Sequence, residues 1–285
     1  MFQEILAVVL LIVGIAYGSA VLFISHKNKE LLLSENGKLS VLSVAEAAVY
    51  LCASFGISDY LLNTLVFKHN RCGDDRLLPG TLVAGCVTPG AIIAFSLLRA
   101  DSNPIDAKLL MVCSAFVIAG SIVGSKLVGK FDGARIRKIM QIALVCSFLV
   151  LLIRMIVSIN AGGATSLSGA KLIVAAVACF VTAAINMFGI PMKPTWTALF
   201  LMLGLSSLTS LTLVLLIGAL GPVAGGIRTL RAGIYHRKMV LCATITGSIG
   251  AILGTFFAIS IPSAVLNLML MAVMLIAIIT MFKKN

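Results

Sequence analysis

Nine mostly apolar stretches follow one another along the chain, at 3–25, 41–67, 77–98, 108–128, 137–157, 171–202, 207–227, 238–259 and 263–282. Uninterrupted runs reach the roughly 20 residues a helix needs to cross a hydrocarbon core about 30 Å thick. Two of the stretches are broken. Ser54-Phe55-Gly56-Ile57-Ser58-Asp59 interrupts 41–67, and 133 residues later Met187-Phe188-Gly189-Ile190-Pro191-Met192 interrupts 171–202. The same features follow each break: Pro89 is answered by Pro222, Lys108 by Lys238, and the pair Gly120 and Gly124 by Gly250 and Gly254. The shift narrows only from 133 to 130 residues, so the chain reads as a duplicated unit with small loop differences. A duplicated membrane unit with two broken apolar segments is the pattern of a carrier.

Composition agrees. Sixty per cent of the residues are apolar and 11 per cent are charged, which predicts an all-α polytopic membrane protein with the lipid bilayer as a partner. The net charge of +12 raises the question of nucleic acid, but no basic run is interleaved with aromatic residues as single-strand binding requires. Seven cysteines form no CxxC pair and lie mostly inside apolar runs, so they read as small core residues without a redox or metal role. The first run follows Glu4 in place of a basic leader, is long for a signal segment and lacks a small-residue cleavage site; a retained helix is expected.

Charge then tests the number of crossings, because short cytoplasmic loops collect Lys and Arg. Basic clusters occur at 26–38, 68–76, 126–138, 228–238 and in the tail at Lys283 and Lys284. Nine full crossings cannot put them all on one side. If 41–67 and 171–202 enter the membrane and return to the side they came from, every cluster becomes cytoplasmic. The linker 158–170 carries no charge, as expected of the outer side. The result is an inverted repeat of about four helical segments each, with seven spanning helices and two re-entrant hairpins. The N-terminus is outside and the C-terminus cytoplasmic, as in a multi-pass protein of the cell membrane. Residues 1–40 form an extra N-terminal transmembrane helix and loop, 41–157 repeat one, 158–170 the linker and 171–285 repeat two. The competing reading is that 41–67 crosses as one kinked helix.

The breaks carry the candidate chemistry. In hydrocarbon every backbone N–H and C=O must find a partner, so an interrupted helix is tolerated only beside protein or a wet cavity. Half-helices starting near Ser58 and near Pro191 to Thr195 would point their free N–H groups and positive dipole ends at the midplane, a setting for an anion. Ser54, Gly56, Ser58, Asn63 and Thr64 surround the first break, and Asn186, Gly189, Lys193, Thr195 and Trp196 the second. Hydroxyls and amides can hydrogen-bond an oxyanion and Lys193 can supply charge; the same side chains also suit helix capping and interhelical bonding. Trp196 suits packing as well as a pocket wall. Pro191 and Pro194 read as structural. Asp59 is an acid at membrane depth, a costly placement that marks function. Three roles stay open for it: a proton-coupling group, a fixed ion pair with Lys193, or a hydrated acid on a shallow hairpin. Thr88-Pro89-Gly90 and Gly221-Pro222-Val223 place prolines in the helices after the breaks, where each removes a backbone bond and either lines a path or makes a packing kink. Gly120xxxGly124 and Gly250xxxGly254 are faces for close helix packing.

This order of features resembles the sulfite exporter TauE/SafE (TSUP) family: an FGI-type break, a proline-bearing helix, a connector before Lys108 or Lys238, a Gly-xxx-Gly helix, then Ile-Pro-Ser-Ala-Val-Leu and a final apolar helix. The resemblance covers about 41–282 and is clearest over 233–282. It implies a carrier of small anions, often sulfur oxyanions or sulfonates, driven by an ion gradient. The family often has a Gly-Gly-Gly-type break; here Gly56-Ile57-Ser58-Asp59 and Gly189-Ile190-Pro191-Met192 offer less bare backbone and more side-chain contact.

Two other classes compete: a non-transporting scaffold and an intramembrane enzyme. A serine protease would need a histidine at membrane depth, yet His26, His69 and His236 fall in expected cytoplasmic loops. An aspartyl enzyme would need two acids, and Glu46 is expected nearer an interface than Asp59. An HExxH metal motif is absent, and no cofactor is implied. The expected function is therefore not enzymatic: a proton-coupled permease or exporter of a small anionic substrate. Whether it works alone or as a homodimer is left open.

Overall fold

The computed structural model describes residues 2–55, 57–99, 105–128 and 162–257, with scattered positions between 130 and 149. The expected helix at 263–282 lies outside the described residues, as does most of 137–157. The described chain is built from α1 (Phe2–Lys27), α2 (Lys29–Ser34), α3 (Leu39–Ser54), α4 (Asp59–His69), a 3-10 turn (Asp75–Leu77), α5 (Leu78–Gly85), α6 (Val87–Arg99) and α7 (Ala107–Val128). After the linker come α8 (Gly169–Asn186), α9 (Lys193–Met202), α10 (Ser207–Ala232), α11 (Arg237–Cys242), a π turn (Ala243–Gly247) and α12 (Ser248–Phe257). Among these residues six helical stretches are long and apolar enough to cross a membrane: 4–27, 75–99, 107–128, 169–186, 208–232 and 237–257. The protein is an all-α, multi-pass membrane protein. Large apolar side chains such as Ile12, Ile173 and Phe256 point outward, as a surface solvated by lipid requires.

Both broken stretches double back. Across the first, the Asn63 side-chain amide of α4 meets Tyr50 Oη of α3 at 3.4 Å, a closure impossible for one kinked helix in which 13 residues would separate them by about 20 Å. The ends of this hairpin meet, since a Cβ placed on Gly37 would stand 3.7 Å from Cys72 Sγ. The second hairpin closes the same way. Trp196 Nε1 of α9 donates to Thr182 Oγ1 of α8 at 2.6 Å. Its ends are tied by backbone bonds, Ser206 N to Ala164 O at 2.8 Å and Ala164 N to Gly204 O at 3.3 Å. Asn63 and Trp196 are themselves 133 residues apart, so equivalent positions reach back across each hairpin.

The Gly-xxx-Gly helices hold these hairpins reciprocally. A Cβ on Gly120 or Gly124 of α7 would lie 2.1 and 2.2 Å from the carbonyl oxygens of Phe180 and Ala184 on α8. A Cβ on Gly250 or Gly254 of α12 would lie 2.0 and 2.6 Å from those of Ala47 and Leu51 on α3. Phe180 and Ala184 are Ala47 and Leu51 moved on by 133 positions. Thus the last glycine helix of each repeat grips the first half-helix of the other, backbone against backbone, the close approach that only small residues allow.

The two prolines act differently. Pro89 cannot donate to Gly85 O, and the helix is interrupted at Cys86 between α5 and α6. Pro222 sits inside the continuous α10, where Gly218 O loses its usual donor. Thr88, next to Pro89, turns away from the breaks: its Oγ1 donates to Gly14 O of α1 at 3.5 Å. Gly18 of α1 also faces Thr88, so the N-terminal helix packs along α6.

Four basic clusters gather at one end of the molecule. Arg237 donates to Glu35 Oε1 at 3.0 Å, Lys238 Nζ reaches the Glu35 and Gly37 carbonyls, Lys68 pairs with Asp75, and Arg76, Ser125, Phe131 and Arg228 face a common cavity there. At the centre of the Glu35 cluster is His236. It lies in the connection before α11, as expected, but is fully buried. Its Nδ1 accepts from Met239 N at 3.2 Å and caps α11, which leaves Nε2–H to donate to Asn36 O at 3.1 Å. The Glu35 carboxylate, 3.6 Å from the accepting Nδ1, is a neighbour and not an ion-pair partner of this neutral ring. Burial holds the imidazole below its ordinary range, against the opposing pull of Glu35 and with a smaller push from Lys238 and Arg237.

Two outcomes follow from this packing. Gly120→Val or Gly250→Val forces a side chain into a carbonyl and should cost about 3 kcal/mol or more, whereas Gly163→Ala, with open space around it, should leave the melting temperature in detergent unchanged. A lowered imidazole pKa means that the His236 contribution is complete above the unfolded value near about 6.5 and is lost as pH falls through the folded one. Melting temperature should therefore drop between about pH 7 and 5, and the drop should be smaller in His236→Gln.

Candidate functional site

The two breaks meet, and where they meet a charge crosses between them. Ser58 occupies the N-cap of α4 and Asp59 its first turn; Lys193 opens α9. Lys193 Nζ donates to Asp59 Oδ1 at 2.6 Å. The lysine side chain keeps 19 per cent of its exposure and the aspartate 7 per cent, so the pair is largely withdrawn from solvent. Of the three arrangements open to Asp59, the structure shows the ion pair and removes the hydrated acid.

Around the pair is a small cavity of about 20 Å³, room for roughly one water. Ser58, Asp59, Asn186, Lys193, Trp196 and Pro222 line it, all of them named from the sequence. Ser58 is fully buried, yet its Oγ neither caps α4 nor meets any other described partner. A free hydroxyl, a cation and the starts of two half-helices thus converge on one point. The other walls were not foreseen as site residues: Tyr60, Cys86 and Gly218, with Pro191 and Met192. Gly218 had a signal, since it lies four positions before Pro222 and its carbonyl is the one the proline leaves without a donor. Cys86 lies where Pro89 interrupts its helix.

The remaining candidates sit elsewhere. Ser54 Oγ donates to Tyr50 O and Ala251 O at 3.0 and 3.2 Å, tying α3 to α12. Gly189, with φ of +83°, makes the turn of the second break, and Asn186 Nδ2 closes it by donating to Ile190 O at 2.7 Å. Thr64 Oγ1 bonds back to Tyr60 O at 2.7 Å. Thr195 is half-buried on α9 and does not line the cavity; Thr88 and Pro89 pack in α6; Gly56 lies outside the described residues.

Glu46 is fully buried on α3, on the face it shares with Tyr50 and Ser54 at four-residue spacing. That spacing was the available signal. With its nitrogen toward the acid, the Asn63 amide donates to both Glu46 oxygens at 3.1 Å; turned over, it donates to Tyr50 Oη. Asn63 therefore serves Glu46 and not the cavity.

Compared with known protein families, with characterised proteins and with solved structures, the chain matches none.

An ion pair in this setting is fragile to one-sided change. Lys193→Met should destabilise the protein by about 3–5 kcal/mol, because it strands a buried carboxylate. Asp59→Asn combined with Lys193→Met should recover most of that loss, a comparison that thermal melts of the purified single and double variants will read.

Proposed function

We propose that this chain is a secondary transporter of a small anion, in which the substrate competes with the Asp59 carboxylate for Lys193. The observation that carries the reading is the meeting of two half-helix starts at a lysine already holding a carboxylate, with the unpartnered Ser58 hydroxyl beside it. In the state seen here Asp59 stands where a substrate oxyanion would stand. The cavity is too small for a polyatomic anion, so binding requires Asp59 to yield and the walls to part.

Protonation supplies the release. A charged Asp59 beside a bound anion costs about 4 kcal/mol at 4 Å and an effective dielectric near 20. A neutral one frees Lys193, whose charge, with the Ser58 hydroxyl and the N–H groups of the half-helices, then faces the substrate. Proton and anion bind together on one side and leave together on the other. The basic end of the molecule is taken as cytoplasmic by the positive-inside rule. The resemblance to the sulfite exporter TauE/SafE family points to sulfur oxyanions or organosulfonates as the substrate class.

Enzymatic readings fit less well. Among the described residues two acids are buried, but Glu46 is held by Asn63 and does not line the cavity that Asp59 faces, so these two do not share a substrate. His236 is consumed in capping α11 and bonding Asn36.

Flux into proteoliposomes across sulfite, thiosulfate, a small sulfonate and a carboxylate, with and without a pH gradient, tests the proposal. Asp59→Asn mimics the protonated form and should retain exchange while losing uphill accumulation. Wild-type accumulation in that variant would remove Asp59 as the coupling group, and absence of flux for every anion would remove the carrier itself.

A further inference from the structure

A second, much larger cavity of about 270 Å³ lies at the basic end. Its described lining includes Arg76 and Arg228 and no acid. Both arginines are exposed, at its mouth. The larger cavity and the ion-pair cavity share three elements. On α10, Arg228, Thr229 and Gly225 line the outer one and Pro222 and Gly218 the inner, positions that repeat every three or four residues and so form one stripe. On α5, Gly80 and Val83 face the outer cavity, and Cys86 just beyond its end faces the inner. At the second break, neighbouring Met187 and Asn186 divide between the two. The cavities are thus stacked about one helical turn, or 5 Å, apart.

Met187 packs on Gly225 where the two linings adjoin. A Cβ placed on Gly225 would stand 2.5 Å from Met187 Sδ and 3.0 Å from Val83 Cγ1. The bare glycine is the seat on which the methionine lies. Methionine is unbranched and has three side-chain torsions, so it can swing aside without moving a helix.

Resting on the anion-carrier reading, we infer that the larger cavity is the cytoplasmic vestibule of the anion path. Arg76 and Arg228 draw small anions into it, and Met187 seated on Gly225 is the gate between vestibule and Lys193. The state described is open to the basic end and closed at the gate.

Accessibility to a charged thiol reagent tests this without depending on transport. In the full chain with its seven cysteines replaced by alanine, Thr229→Cys should react quickly with an anionic methanethiosulfonate applied to the cytoplasmic face. Gly218→Cys, beyond the gate, should react about 100-fold more slowly, as for a path open about one per cent of the time. Adding Met187→Ala should raise the Gly218→Cys rate about tenfold or more. The anionic reagent should outpace its cationic analogue at Thr229→Cys by about tenfold, and Arg76→Gln with Arg228→Gln should abolish that preference. Equal rates at the two cysteines, or a Gly218→Cys rate indifferent to Met187→Ala, overturns the gate. Labelling of Thr229→Cys only from the opposite face, or no charge preference there, overturns the vestibule. If the cysteine-free chain does not fold, Arg228→Gln in the otherwise native chain serves instead: KM for sulfite should rise several-fold with its salt dependence flattened and kcat unchanged, and an unaltered KM overturns the vestibule. Labelling as expected together with zero flux would sink the carrier reading and leave the access path standing.

Discussion

An interrupted helix inside a membrane exposes N–H and C=O groups that lipid cannot satisfy, and this fold is arranged around two such interruptions. Each is folded into a hairpin, so that its unpaired backbone faces its counterpart and not hydrocarbon. The charge that two helix starts would otherwise leave unbalanced is met by Asp59, and Asp59 in turn by Lys193. Remove the enclosure and the site cannot exist, because the same groups that attract an anion would be intolerable against lipid tails. The reciprocal grip of α7 on α8 and of α12 on α3 is what keeps the enclosure shut.

Much of this could be read from residue order because the determining features are local. The repeated Phe-Gly-Ile marks both breaks, the glycine pairs mark the close-packed faces, and Asp59 and Lys193 stand out as charges in apolar surroundings. Reading them as partners was one option among three, since 134 positions separate them and only the folding back of both hairpins brings them within 2.6 Å. Cys86 and Gly218 escaped notice because they are ordinary small residues whose place is set by the packing of α5 and α10 against the hairpins. The burial of Glu46 was not legible because it depends on which face of α3 meets α4 and α12.

The formal symmetry of the repeats misled at Thr88 and Pro89. Their counterparts Gly221 and Pro222 lie by the centre, so an equal role was a fair inference from duplication. The chain breaks that equivalence with α1, which precedes the first repeat and packs its Gly14 and Gly18 against α6. Occupied by that helix, Thr88 faces a neighbour and not the cavity. Pro222 remains at the site.

The reciprocal glycine contacts also impose an order on biogenesis. Hairpin one leaves the ribosome early, but Gly250 and Gly254, the surfaces that cover its Ala47 and Leu51 carbonyls, follow about 200 residues behind. At about 5–20 residues per second that is a delay of roughly 10–40 s. Hairpin two has no such wait, because α7, which carries Gly120 and Gly124, is synthesised before it. Two halves of one duplicated design thus face opposite assembly problems: the second docks on arrival, while the first must hold an unclosed break at the membrane until Gly250 and Gly254 come to shield it.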